Sequence, residues 1–184
     1  MNRHKRSTEE YKKELNQMNS DHTLSKAAPD YKTQASSGVI AYYPVSFRGK
    51  KLSDEGVPFH MTVKFFGHKD SLDLNDVKQR VEKHRALLSQ PVDEKDIMAI
   101  PHKFKTQTGI THHVLLLHGV PDHVKQVYEN NKDIGATYKS FAPHITVSEE
   151  IYNQLNGKPA RATDLGIKFH PAEFKVGDQV HKTF

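Results

Sequence analysis

The chain has 184 residues and a mass of 21.0 kDa, enough for one substantial core and too little for a multidomain machine. It has no cysteine, so disulfides, thiolate metal sites and cysteine nucleophiles are excluded; 27 basic against 22 acidic residues, a net charge of +5, mildly favour anionic partners. A mean hydropathy of -0.73 is wet for a globular chain, and 13 histidines supply groups that exchange protons near neutral pH.

Residues 1–36 read as a polar extension. Ser7 and Glu10 have capping-box spacing, and Tyr11, Leu15 and Met18 follow on one helical face, so a short amphipathic helix is expected before a polar strap that contains Pro29. Met1 to Arg6 is basic, but Ser7 to Asn16 is charged where a signal peptide needs its apolar region. The longest uncharged, mostly apolar run, Gly38 to Val45, falls well short of the roughly 18 residues of a membrane span. A cytoplasmic chain (host cytoplasm if the source is viral) with no membrane partner is expected.

From residue 37 to 184 a single domain is expected. Val39 to Val45 reads as a strand, Phe47 to Pro58 as a loop and Phe59 to Phe66 as a second strand ended by Gly67. Asp73 or Asn75 caps a helix bearing Val77, Val81, Leu87 and Leu88 that stops before Pro91. Ile97 to Phe104 and His112 to His118 read as strands paired across a turn at Thr106 to Gly109. Pro121 starts a helix that carries Val124, Val127, Tyr128 and Ile134, with Gly135 just past its end. Ala142 to Val147 is a strand, Ser148 to Leu155 a short helix, and Gly166 to Val176 one or two closing strands. The strand, helix, strand pattern recurs around 59–104 and 112–176, which predicts an α+β fold of two duplicated lobes. Antiparallel or mixed sheets would flank a central groove, with the helices outside.

Two segments carry the chemistry: Pro58-Phe59-His60-Met61-Thr62-Val63 and Ala142-Pro143-His144-Ile145-Thr146-Val147. Chance supplies roughly one His-x-Thr in a chain this rich in both residues, so the context matters more than the tripeptide. Strand alternation buries Phe59, Met61, Val63 and Phe65 and presents His60, Thr62 and Lys64; likewise it buries Pro143, Ile145 and Val147 and presents His144, Thr146 and Ser148. Two imidazoles meeting from opposite walls of a groove would serve a phosphodiester as proton acceptor and proton donor, with hydroxyls and a lysine on the non-bridging oxygens and no metal or other cofactor required. The plainer reading, histidines satisfying hydrogen bonds on half-buried strands, suits either segment alone; the matched pair favours the catalytic one.

His60-Met61-Thr62-Val63-Lys64-Phe65-Phe66-Gly67 and Phe141-Ala142-Pro143-His144-Ile145-Thr146-Val147 resemble the two signature segments of the two-histidine (2H) phosphoesterase superfamily. That superfamily includes RNA 2',3'-cyclic phosphodiesterases, bacterial proteins first described as 2'-5' RNA ligases, and phage enzymes that cleave cyclic oligonucleotide signals. The likeness covers about residues 38–176. It implies a bilobal duplicated fold, His60 and His144 as the acid/base pair, and Thr62 and Thr146 as phosphate ligands. Many relatives carry a basic residue just after the second segment, where this chain has Ser148-Glu149-Glu150.

The expected function is therefore hydrolysis of RNA-type phosphodiesters: a 2',3'-cyclic phosphate, a 2'-5' linkage or a small cyclic nucleotide. A phage-type nuclease that degrades cyclic oligonucleotide immune signals is one alternative. A groove that binds a nucleotide or RNA end without turning it over is another. The expected partner is the substrate, with no protein partner. Tyr42 and Tyr43 lie on opposite strand faces, so one of the two is placed to stack on a base. Tyr138, Lys139 and Phe141 are candidates for a rim, and Arg48, Lys50 and Lys51 for guiding an anion. His102, His112, His113, His118 and His123 crowd one region without a familiar ligand spacing, and no metal site is expected there. The chain has no P-loop, no G-x-S-x-G elbow and no G-x-G-x-x-G.

Overall fold

The computed structural model describes residues 37–53, 56–105, 108–135 and 141–184. The expected N-terminal helix and strap, Tyr138 and Lys139, and the tip of the Thr106 to Gly109 turn lie outside the described residues. Nine strands are described: β1 (Gly38–Phe47), β2 (His60–His68), β3 (Met98–Lys105), β4 (Thr111–His118), β5 (His144–Thr146), β6 (Ala160–Arg161), β7 (Ile167–Phe169), β8 (Glu173–Val176) and β9 (Gln179–Thr183). The described helices are α1 (Leu74–Lys83), α2 (Arg85–Leu88), α3 (Asp122–Glu129) and α4 (Glu149–Gln154).

The fold is α+β, with one large antiparallel sheet and few helices. The strands join a single hydrogen-bonded path, β6-β3-β4-β5-β2-β1-β8-β9, with β7 on the far end of β1. Two separate sheets were expected; instead the path is continuous through β2 and β5, which meet at Met61 and Ile145. The recurrence around 59–104 and 112–176 does not divide it either, because β3 pairs with β4 along its whole length while β1 and β2 take β8 and β9 from the end of the chain. A local period in sequence says nothing of which strand a distant segment will join.

Two of the described helices start at side-chain caps. Asp73 accepts from the backbone amides of Asn75 and Asp76 to open α1, and Ser148 accepts from Ile151 N at 3.2 Å to open α4. The helix expected to run on toward Pro91 breaks at His84, whose ring hydrogen-bonds to the Arg80 carbonyl at 2.6 Å, and resumes as α2. Asn130 ends α3 short of Ile134. Val77, Val81, Leu88, Val124 and Val127 pack on Val39, Ala41, Tyr43, Met61, Val63, Leu115 and Ile145 to form the main core on one face of the sheet. Each such buried side chain contributes about 1.5–3 kcal/mol. Gly135, at φ +77°, lets the chain after α3 lie against β2: a Cβ there would sit 2.5 Å from the Phe66 carbonyl oxygen. No helix among the described residues is long and apolar enough to cross a membrane.

Candidate functional site

The other face of the sheet holds the two histidines. Antiparallel pairing of Met61 with Ile145 sends both of those side chains into the main core, where each is fully buried. It sets Thr62 across from His144 and Thr146 across from His60, all four on the opposite face. His60 and His144 are then diagonal neighbours, a relation that spans about 7–8 Å in a regular sheet. The two imidazoles were expected from opposite walls of a groove; they stand instead on neighbouring strands of one surface. A line across the sheet at this level runs Ile100, Leu116, His144, Thr62, Tyr42, Glu173, and the next runs His102, Val114, Thr146, His60, Pro44.

Both rings are held in the same manner. His60 Nδ1 lies 3.0 Å from the Pro58 carbonyl oxygen and His144 Nδ1 lies 2.9 Å from that of Ala142, in each case two residues back. A carbonyl only accepts, so Nδ1 carries the proton and Nε2 carries the lone pair of the neutral ring. Each ring also meets an aromatic edge: Tyr42 with His60 at 5.7 Å and 74°, Phe104 with His144 at 5.1 Å and 81°. Burial pushes the His60 imidazole below its ordinary pKa; the Pro58 hydrogen bond opposes this, and the positive charge of Lys175 adds to it.

The surroundings differ between the two. Tyr42 donates its hydroxyl hydrogen to Glu173 Oε2 at 2.5 Å, and Lys175, the next residue on that face of β8, pairs across from Ile40. Beside His144 the neighbours are apolar: Ile100, Val114, Leu116 and Ala142 form a small cluster with Phe104, and His102 stacks edge-on against Phe104 at 5.0 Å.

Three residues expected at the site are placed elsewhere. Lys64 is turned away by a bulge: Thr62 pairs with Tyr42 but Lys64 pairs with Ala41, so Val63 is an extra residue and the alternation slips by one. Lys64 therefore points into the helix-covered side, 1% exposed, with its ammonium 5.5 Å from the centre of the Tyr128 ring. Burial lowers its pKa to about 8 against the pull of Asp133. Tyr43 is buried on that side too, where its hydroxyl donates to the Gln90 carbonyl at 3.0 Å, and burial pushes it up to about 12; Tyr42 is the tyrosine of the site face. Ser148 lies beyond the end of β5, and its hydroxyl is engaged as the cap of α4.

Phe104, Glu173 and Lys175 went unassigned in the sequence. Gly166 to Val176 was read as one or two closing strands, and the adjacency of Glu173 and Lys175 to β1 leaves no local signal in it. Among the described residues no group of three His, Asp or Glu side chains is arranged to hold a metal ion. Comparison with protein-family models, with curated proteins and with solved structures finds no match to this chain.

Proposed function

We propose that this chain is a phosphodiesterase of the two-histidine type that acts on RNA-type phosphodiesters: a 2',3'-cyclic phosphate, a 2'-5' linkage or a small cyclic nucleotide. The observation that carries the reading is the common setting of His60 and His144, each with Nδ1 on the carbonyl two residues back, each followed by a threonine on the same strand face, and joined through Met61 and Ile145. The bilobal reading rests on the same seam: β5, β4, β3 and β6 extend to one side of it and β2, β1, β8 and β9 to the other. A cytoplasmic location is part of the proposal.

In the proposed reaction the neutral imidazole takes a proton from water at Nε2 as the water oxygen bonds to phosphorus. The bond from phosphorus to the leaving oxygen breaks, and that oxygen takes the proton from Nε2 of the other, protonated imidazole. The sum is water added across one P–O bond, and exchange with solvent restores both rings. Thr62 and Thr146 donate to the non-bridging oxygens as negative charge builds there. Each proton-transfer role is typically worth about 10² to 10⁴ in rate.

The test is a panel of 2',3'-cyclic nucleotides, 2'-5' oligoadenylates and cyclic dinucleotides incubated with protein in EDTA, with product analysis. Turnover of one class, lost in both His60→Ala and His144→Ala, is expected. Full turnover in either variant rejects the paired roles, and binding without turnover by the wild type reduces the site to a nucleotide-binding module.

A further inference from the structure

The reaction proposed above builds negative charge on a phosphorus centre, and the cation expected to meet it, Lys64, is on the wrong face of the sheet. We propose that Lys175 on β8 is the residue that holds the substrate's phosphate anion. This rests on the phosphodiesterase reading and adds a residue to it from a part of the chain that neither His-x-Thr segment touches.

Register supplies the first argument. Tyr42 pairs with Thr62 on one side and with Glu173 on the other, so Glu173 shares the face of the two histidines, and Lys175, two residues on, shares it too. Phe174 between them is buried in the main core with Phe66 against it, which fixes the sense of the alternation. Only β1 separates β8 from β2, about 10 Å across the strands, and Lys175, opposite Ile40, stands about 7 Å further along the sheet than Tyr42 and Thr62, a span that a four-carbon lysine stem and a bound phosphate bridge between them.

Charge supplies the second. Lys175 makes no ion pair with any described residue, although Glu173 stands beside it; that carboxylate takes the Tyr42 hydroxyl instead. A half-buried lysine without a counter-ion among the described residues, on the face that carries two imidazoles, is a ready anion ligand. Its field already reaches His60, where it works with burial to disfavour the protonated ring. A bound phosphate would supply the missing negative charge.

The bulge at Val63 ties these facts together. It removes one lysine from the site face, and β8 places another there. Lys64→Met is therefore the control: the same change of lysine to a neutral chain of similar length, at a position outside the site.

The experiment compares Lys175→Met, Lys175→Arg and Lys64→Met in steady-state kinetics on the phosphodiester that the wild type turns over. Lys175→Met is expected to raise KM about tenfold, the loss of one charge-assisted contact, with kcat much less affected. Lys175→Arg is expected to restore most of the affinity and Lys64→Met to leave KM unchanged. Wild-type KM should also rise with salt more steeply than that of Lys175→Met. An unaltered KM in Lys175→Met, or an equal loss in Lys175→Arg, overturns the assignment while leaving the two-histidine reaction intact. If the wild type turns over nothing, the phosphodiesterase reading fails first. The assignment is then judged by calorimetric binding of inorganic phosphate and a nucleoside 3'-monophosphate: about tenfold weaker binding by Lys175→Met sustains it, and equal binding ends it.

Discussion

The half of the site built on β2 and the half built on β5 hold their imidazoles alike and surround them differently. On both strands a histidine gives its Nδ1 proton to a carbonyl two residues back, meets an aromatic edge, and is followed by a threonine on the same face. Around His60, however, lie a tyrosine tied to a glutamate and a lysine that makes no ion pair among the described residues, whereas around His144 lie Phe104 and the apolar side chains of Ile100, Leu116 and Ala142. The shared part places the Nδ1 proton of each neutral ring on a carbonyl. On the proposed reading, the differing part favours a charged or hydroxyl-bearing substrate group beside β8 and an apolar or aromatic one beside β3.

The sharpest break in the likeness would come from the histidines themselves. His60→Asn and His144→Asn are each expected to lower kcat by about 10² to 10⁴, and the double variant to do little further harm, because the two act as one unit. Circular dichroism should show both single variants folded, since neither histidine belongs to the main core. A large loss in one and none in the other would mean that the matched settings do not reflect matched roles.

Next in size is an effect on stability confined to the β2 half. Lys64 is 1% exposed and its pKa falls from 10.5 to about 8, so the folded protein disfavours its charge by about 3 kcal/mol. The sign follows from proton counting. Between pH 8 and 10.5 the unfolded chain keeps this proton and the folded chain gives it up, so stability rises with pH across that window; the gain is lost again as pH falls through 8. Lys64→Met should therefore be the more stable protein at pH 7, by about 1–3 kcal/mol. Its advantage should shrink as urea titrations are repeated from pH 8 to pH 10. A constant difference would mean that the ammonium is solvated after all.

That lysine also marks where sequence reasoning stopped. Strands β1 to β5, the Asp73 cap and the two His-x-Thr segments were legible because alternation, capping chemistry and apolar spacing are local. The bulge at Val63 was not. It adds one residue to β2 opposite none in β1, and nothing in Thr62-Val63-Lys64-Phe65 distinguishes that from a regular strand. Ser148 was legible as polar, but a cap and a phosphate ligand call for the same hydroxyl. Tyr42 and Tyr43 could be assigned to opposite faces, yet only tertiary packing decides which face receives α2 and α3. The entry of β8 beside β1, which brings Glu173 and Lys175 to the site, is a pairing between segments about 130 residues apart and leaves no local trace.

The threonines test the likeness at smaller scale. Thr62→Val and Thr146→Val keep the strand-forming shape and remove one hydroxyl each, and each is expected to lower kcat/KM by about 10- to 100-fold in proportion to one lost hydrogen bond to a charged group. Equal losses would extend the pseudo-symmetry from the imidazoles to the phosphate oxygens. Unequal losses would show which non-bridging oxygen carries more of the developing charge.

The smallest effect, and the one that best separates the two halves, concerns the aromatic rings. Tyr42 and Phe104 both stand edge-on to an imidazole, and Tyr42 is tethered through a 2.5 Å hydrogen bond to Glu173. Tyr42→Phe keeps the ring and cuts the tether; Phe104→Tyr keeps the ring and adds a hydroxyl beside an apolar cluster. If the tether serves to hold the ring against His60, Tyr42→Phe should lower kcat/KM about three- to tenfold, and Glu173→Gln, which can still accept from the phenol, should do less. Phe104→Tyr should change activity less than Tyr42→Phe, because the Phe104 ring meets His144 beside an apolar cluster that the added hydroxyl does not tie. The reverse order would place the orienting contact on the β5 half and leave the Tyr42–Glu173 pair as a surface stabiliser of β8.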